Sequence, residues 1–283
     1  MSVNKMHKQS NYIASLLSYK ENSSESLIEN LYSRIEELED LLEESKRKRQ
    51  EEIKKKVVIL VHGIRDQALW QSQVRACLRN AGFTVFLTNY GRFDLFRFYV
   101  PFPLFRNSVI DDVYRQIRQV KKTNPHSEIC VIAHSFGTFI ISNIMEKEFD
   151  LVLDRVIFCG GVYSKKIQFE QFSNRFKPQI INEIGTKDFW PAVAESTTWV
   201  YGSPGTFGRR QPLFEDRWHK DYGHSDFLSE DFCSKYWVPF LKNGTIVQGE
   251  LHPKKPCLLV GIIGAIHLKY IIICILLLLL IYA

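Results

Sequence analysis

Three patterns of apolar and polar positions succeed one another along the 283 residues. Over residues 1–56 apolar side chains recur at helical spacing. Ile28, Leu31, Ile35, Leu38 and Leu42 follow a 3-4-3-4 repeat, with Glu36, Glu37, Glu39, Asp40, Glu43 and Glu44 on the other positions. Ile at a and Leu at d of a heptad favour a two-stranded parallel coil. The repeat runs for about two and a half heptads, short of the three to four that define a coiled coil. It therefore predicts either a homodimeric coiled coil or a single amphipathic helix lying on its own domain.

From 57 to 245 the pattern alternates. Val57-Val58-Ile59-Leu60-Val61 is a continuous apolar run of buried-strand type. Helical character follows over 67–81 and stops at Gly82, and Phe83 to Thr88 reads as a strand. Residues 107–122 are helical up to the break at Pro125. Strands follow at 128–133, at Arg155–Cys159 before Gly160-Gly161, and at 179–184 before Gly185. Strand–helix alternation of this kind predicts an α/β fold, a mostly parallel sheet with helices on both faces. Ligands in such sheets bind at the carboxyl ends of the strands.

After a linker at 246–256, residues 257–283 are almost wholly apolar, interrupted only by His267 and Lys269, and seventeen of them are Leu, Ile or Val. At about −0.3 to −0.6 kcal/mol each near a helix centre, these favour insertion into a bilayer by roughly 5 to 10 kcal/mol. One central lysine opposes this by about 3 kcal/mol, so insertion wins. The pattern predicts a C-terminal transmembrane helix or a membrane-embedded segment that enters and returns around His267-Leu268-Lys269. Lys254 and Lys255 precede it, and the positive-inside rule places that flank, with the strand–helix region at 57–245, on the cytoplasmic side.

Composition narrows the picture little. The net charge of +6 is modest and partly local, in Lys46-Arg47-Lys48-Arg49 and Lys54-Lys55-Lys56. Such runs form a solvated helix face or meet anionic lipid headgroups. No nucleic-acid-binding motif accompanies them, which argues against a nucleic-acid partner. The six cysteines are scattered without CxxC spacing. They read as reduced packing residues of a cytosolic compartment, not as a disulfide framework or a zinc site. The first twenty residues hold no long apolar stretch of signal-peptide type.

The chemistry concentrates at Ile129-Cys130-Val131-Ile132-Ala133-His134-Ser135-Phe136-Gly137-Thr138. A strand-type run ends at a small-x-Ser-x-Gly corner and an apolar helical run begins at once. A serine on such a corner has its hydroxyl exposed beside backbone amides of the new helix. It needs a base for its proton and donors for the oxyanion. The first strand ends at His62-Gly63-Ile64, where the glycine lets the chain turn. The Ile64 and Phe136 amides are the candidate oxyanion-hole pair. Asp188, just past the strand at 179–184, is the candidate acid, with Asp154 as a competitor that precedes its strand. His224, in the loop Tyr222-Gly223-His224-Ser225-Asp226, is the candidate base. His219, in Arg217-Trp218-His219, reads as part of a strand.

The order Ser135, Asp188, His224, together with His62-Gly63, Ala133-His134-Ser135-Phe136-Gly137, Gly185-Thr186-Lys187-Asp188 and Gly223-His224, resembles the lipase/esterase-type α/β-hydrolases. The resemblance covers about two thirds of the chain. One departure is Ala133, where the family usually has glycine. The resemblance implies an α/β-hydrolase catalytic domain over 57–245 and a Ser135–His224–Asp188 acyl-enzyme mechanism needing no metal or cofactor. Two further segments bear on substrate. The aromatic, proline-broken stretch from Tyr90 to Phe105 reads as a lid, a wall of an acyl pocket, or a cap on the core. Gly202-Ser203-Pro204-Gly205-Thr206-Phe207-Gly208 reads as a flexible loop near the site, lacking the lysine of a phosphate cradle. A lipid-like ester is the expected substrate. A thioester or amide uses the same chemistry, and a membrane-bound scaffold that retains the fold without catalysis is the other reading.

Overall fold

The β-branched runs form the strands and their alternation builds two cores. The structure is a computed structural model that describes residues 3–54, 56–64, 69–90, 98, 103–148, 150–171, 180–250, 252 and 254–282. It divides into two units, Met1–Glu52 and Ile53–Ala283. The first is filled by one continuous helix, α1 (Val3–Lys54). Its heptad side chains Ile28, Leu31, Ile35, Leu38 and Leu42 are all exposed in the single chain.

The second unit holds β1 (Lys56–Val61), α2 (Leu69–Asn80), β2 (Thr84–Leu87), α3 (Pro103–Thr123), β3 (Glu128–His134) and α4 (Phe136–Lys147). Then come β4 (Arg155–Cys159), β5 (Ile180–Gly185), α5 (Trp190–Thr197), a single turn α6 (Pro204–Phe207) and β6 (Phe214–His219). Helix α7 starts at Glu230–Phe232, passes through a π turn at Cys233–Trp237 and ends as Val238–Asn243. The described strands form one sheet in the order β2-β1-β3-β4-β5-β6, and every pairing is parallel.

Successive side chains of a strand point to opposite faces. Val57, Ile59 and Val61 of β1 join Val131 and Ala133 of β3 under α3 and α4, where Ile117, Phe139 and Ile140 meet them. Val58, Leu60, Cys130 and Ile132 face the other way, onto Val74 and Leu78 of α2 and Trp237 and Leu241 of α7. Both faces of the sheet are thus covered. Burying each such large apolar side chain is worth about 1.5–3 kcal/mol, which drives the layering.

Of the two tail forms that the sequence allows, one helix or a segment broken around His267-Leu268-Lys269, the structure has the broken one. It forms α8 (Leu258–Ala265) and α9 (Leu268–Tyr282). Among the described residues no single helix is long and apolar enough to cross a membrane, and the two tail helices are bent by 48° at their junction. The break falls at Ile266-His267. Nor is the tail a detached segment: it belongs to the second unit and packs on α5, with Val260 buried. The reason is local, because Ser196 and Lys269 supply polar contacts that a free apolar helix lacks.

Candidate active site

The chain leaves β1 toward β2 on one side and returns to β3 on the other, so the crevice between the ends of β1 and β3 is the switch point of the sheet. Ser135 stands there. It joins β3 to α4 with φ 54° and ψ −122°, a conformation that side-chain-bearing residues rarely adopt. The corner is pinned from several sides. Ser135 N–H donates to Cys159 O at 2.9 Å. Thr138 Oγ1 donates to Ser135 O at 2.7 Å and accepts from Val162 N–H at 3.0 Å. Gly137 must lack a side chain, because a Cβ there would lie 2.5 Å from Val61 O and 2.7 Å from His62 O. The alanine at 133 is fully buried in β3 opposite Phe158, where its methyl is accommodated.

The loop after β1 closes the other side of the crevice. The position of a Cβ on Gly63 is 2.8 Å from Ser135 Cβ, so the two loops touch. Tyr90 stacks on the His62 ring at 4.0 Å. Its hydroxyl donates to His62 O and, at 3.1 Å, to Gly63 O. The chain is thereby held where Ile64 follows. Phe136 begins α4, at the positive end of the helix dipole.

Asp188 and His224 come together because their loops are zipped edge to edge. Thr186 N–H donates to His219 O, Lys187 N–H to Tyr222 O, and Asp221 N–H to the Thr186 hydroxyl, at 3.1, 2.9 and 2.8 Å. His224 Nδ1 then lies 3.0 Å from each carboxylate oxygen of Asp188. A carboxylate only accepts, so Nδ1 carries the proton and Nε2 keeps its lone pair for a donor. Asp188 is fully buried, and its carboxylate also accepts from Trp190 N–H at 3.2 Å. Gly160, with φ +56°, leaves the space the histidine ring occupies. A Cβ there would be 2.8 Å from His224 Nδ1 and 3.2 Å from Asp188 Oδ2.

His134, unmarked by the sequence reading, supports this loop. Its Nε2–H donates to His224 O at 2.9 Å, and the two rings lie 4.7 Å apart. Burial, and then the nearby His224, push its pKa down to about 3, so it stands neutral. Tyr90 and Thr138 were missed as well. Their positions fall in stretches that the sequence singles out, but their roles depend on folding, which brings Tyr90 to His62-Gly63 and Thr138 to Val162.

The competitors occupy other places. Asp154 accepts from Ile129 N–H at 2.8 Å, at the start of β3 and away from Ser135. His219 is the last residue of β6 and faces Glu183 at 2.8 Å, in a buried cluster where Arg217 and Trp237 also reach that carboxylate. The loop read as flexible at 202–208 is in fact buried around α6. Thr206 Oγ1 donates to Asp188 O at 2.8 Å, and Asn182 Nδ2 donates to Pro204 O at 3.0 Å. The turn at Ser225-Asp226 precedes α7, which Ser229 caps. Within the aromatic stretch from Tyr90 to Phe105, residues 91–97 and 99–102 lie outside the described residues. Phe98 is buried, stacks on Tyr201 at 4.0 Å and meets Phe136 edge-on at 5.8 Å.

A parallel sheet with a strained serine corner at its switch point and a His–Asp pair on the loops after β5 and β6 has the architecture anticipated above. The family model described as Serine aminopeptidase, S33 (Hydrolase_4) matches residues 52–192. The chain belongs to the α/β-hydrolase superfamily. The matched part of this α/β-hydrolase includes Ser135 and Asp188 and ends before His224. No curated protein matches the sequence. Solved structures similar to it include a predicted CIB-like hydrolase from Thermoplasma acidophilum, at 16% identity and TM-score 0.46, over 67% of this chain and 87% of that one. A monoacylglycerol lipase from Paleococcus ferrophilus is similar at 13% identity and TM-score 0.45, over 67% of this chain and 95% of that one. TT1662 from Thermus thermophilus follows at 12% identity and TM-score 0.39, over 67% and 89%.

Proposed function

We propose that this hydrolase is a membrane-associated serine esterase acting on a lipid-like or acyl ester. Ser135 Oγ attacks the ester carbonyl. His224 Nε2 takes the hydroxyl proton and returns it to the leaving alcohol, and Asp188 orients the imidazole and supports its charge. The Ile64 and Phe136 amides stabilise the oxyanion. Water, deprotonated by His224, then releases the acid and restores Ser135. The observation that carries the reading is the His224–Asp188 pair at 3.0 Å, on loops at the same end of the sheet as a serine on a strained corner. Phe98, Phe136 and Tyr201 form a buried aromatic cluster that starts at the residue after that serine.

A fluorophosphonate probe should label the wild type and not Ser135→Ala, and the same substitution should abolish turnover of short p-nitrophenyl esters. A folded wild type that neither labels nor turns over would favour the scaffold reading. Faster turnover of thioesters or amides than of esters would move the substrate class and keep the mechanism.

Two further features complete the proposal. The apolar tail binds a bilayer, with the catalytic unit on the cytoplasmic side by the charge of Lys254 and Lys255. The exposed heptad face of α1 pairs with a second copy of the chain. Leu38→Pro should break that helix, at a cost of about 3 kcal/mol or more. It should halve the mass in detergent solution, and an unchanged mass would remove the dimer.

A further inference from the structure

The apolar tail is fastened to the element that carries the acid. Cys257 N–H donates to Thr186 O at 2.8 Å, two residues before Asp188. Helix α8 then packs on α5 and buries Val260. At the bend, Ser196 Oγ donates to Ile266 O and accepts from Leu268 N–H at 3.0 Å. Lys269 Nζ donates to Glu195 O and Thr198 O, each at 2.9 Å. These carbonyls end α5, so the one lysine of the tail meets the negative end of a helix dipole.

Fixed in this way, neither tail helix has the length to cross alone. α9 has 15 residues, about 22 Å at ~1.5 Å each. The hydrocarbon core is roughly 30 Å thick. α8 is shorter, and the pair is bent by 48°. The surface they form is nevertheless strongly apolar: Leu258, Leu259, Ile262, Ile271, Leu279 and Leu280 are exposed. Trp190 and Trp199 are exposed at the two ends of α5, and Trp199 meets Tyr270 edge-on. Tryptophan and tyrosine favour the headgroup boundary. Lys254 and Lys255 are exposed just before α8, and lysines there suit anionic headgroups.

We infer that α8 and α9 form a monotopic seat, embedded in one leaflet of an anionic bilayer on the same side as the catalytic unit, with Lys269 locking their bend to α5. This rests on the membrane association proposed above and specifies its topology. It sets the Asp188 loop at the bilayer surface, where a lipid ester is met.

The test uses the full chain with Cys257 and Cys274 replaced by serine and Ala283→Cys as a reporter. The protein is added to sealed vesicles of phosphatidylcholine and phosphatidylglycerol, with a membrane-impermeant maleimide trapped in the lumen. The protein should float with the vesicles and the A283C thiol should stay unlabelled from the lumen. Adding Lys269→Leu, which removes the lock and the charge, should keep flotation and make lumenal labelling appear. Lumenal labelling without that change would show a crossing tail and overturn the inference while leaving membrane association intact. An unlabelled Lys269→Leu variant would overturn the role of the lysine. Failure to float would remove the membrane reading itself, and the seat with it.

Discussion

Gly160 shows how much of the site depends on one missing side chain. Its φ of +56° suits glycine, and the volume a Cβ would take belongs to His224 and Asp188. Gly160→Ala should therefore displace the imidazole and lower kcat. A displacement of about 1 Å costs on the order of 10²-fold. Burst titration with a fluorophosphonate, followed by steady-state ester turnover, checks this. A variant with normal kcat would mean that the histidine position is set elsewhere. Gly137 is constrained by carbonyls and not by a ring, so it governs how closely α4 approaches the end of β1 and not the base.

Strands β5 and β6 carry the second histidine–carboxylate pair of this region, and it is a structural one. Glu183 is fully buried, and its carboxylate accepts from Arg217 Nε at 2.9 Å and Trp237 Nε1 at 2.9 Å. The Arg217 guanidinium lies 4.9 Å from the Tyr236 ring and donates to Val247 O. Burial alone would raise the Glu183 pKa, but the charge and hydrogen bonds of Arg217, with His219, outweigh it and hold the group down to about 2. Arg217→Met should leave that carboxylate without its main partner. Removing one member of a buried pair costs about 3–5 kcal/mol. Urea unfolding measures it, and a loss below about 1 kcal/mol, the range of exposed pairs, would show the cluster to be open to water. The zipped loops that follow β5 and β6 explain why this cluster and the Asp188–His224 pair coexist without exchanging partners.

Over the whole molecule, two buried groups set the response to acid. His134 is held neutral with a pKa of about 3, against an ordinary 6.5. The unfolded chain takes up that proton first, so the stabilisation from a neutral His134 is complete above about pH 6.5 and declines as pH falls toward 3. Glu183 sits at about 2 against 4.5, and its contribution is complete above about pH 4.5 and declines toward 2. The urea midpoint should therefore begin to fall near pH 6.5 and steepen below 4.5. His134→Gln, which keeps a donor for His224 O, should remove the upper part of that slope. A midpoint flat from pH 7 to 5 in the wild type would contradict the buried, neutral imidazole. At this scale the tail also changes meaning, because it is continuous with the catalytic unit through Cys257, Val260 and Lys269.

Local periodicity carried much of this protein openly. The five strands predicted between 57 and 184 lie within a residue of their observed bounds, because buried parallel strands are mostly apolar, whereas the more polar β6 was read only at Arg217–His219. The serine corner was legible because a strand-to-helix turn around a nucleophile admits few residue types. The placing of Asp188 and His224 after β5 and before α7 followed from the same order of elements. Composition could not reveal what depends on partners far apart in the chain. His134 and Tyr90 hold loops that only folding brings to them. Asn182 and Thr206 turn a glycine-rich segment into a buried brace. A run of apolar residues says that water is unfavourable and leaves open what replaces it. The bend at Ile266-His267 arises because Ser196 and the end of α5 offer backbone-satisfying contacts at that one place.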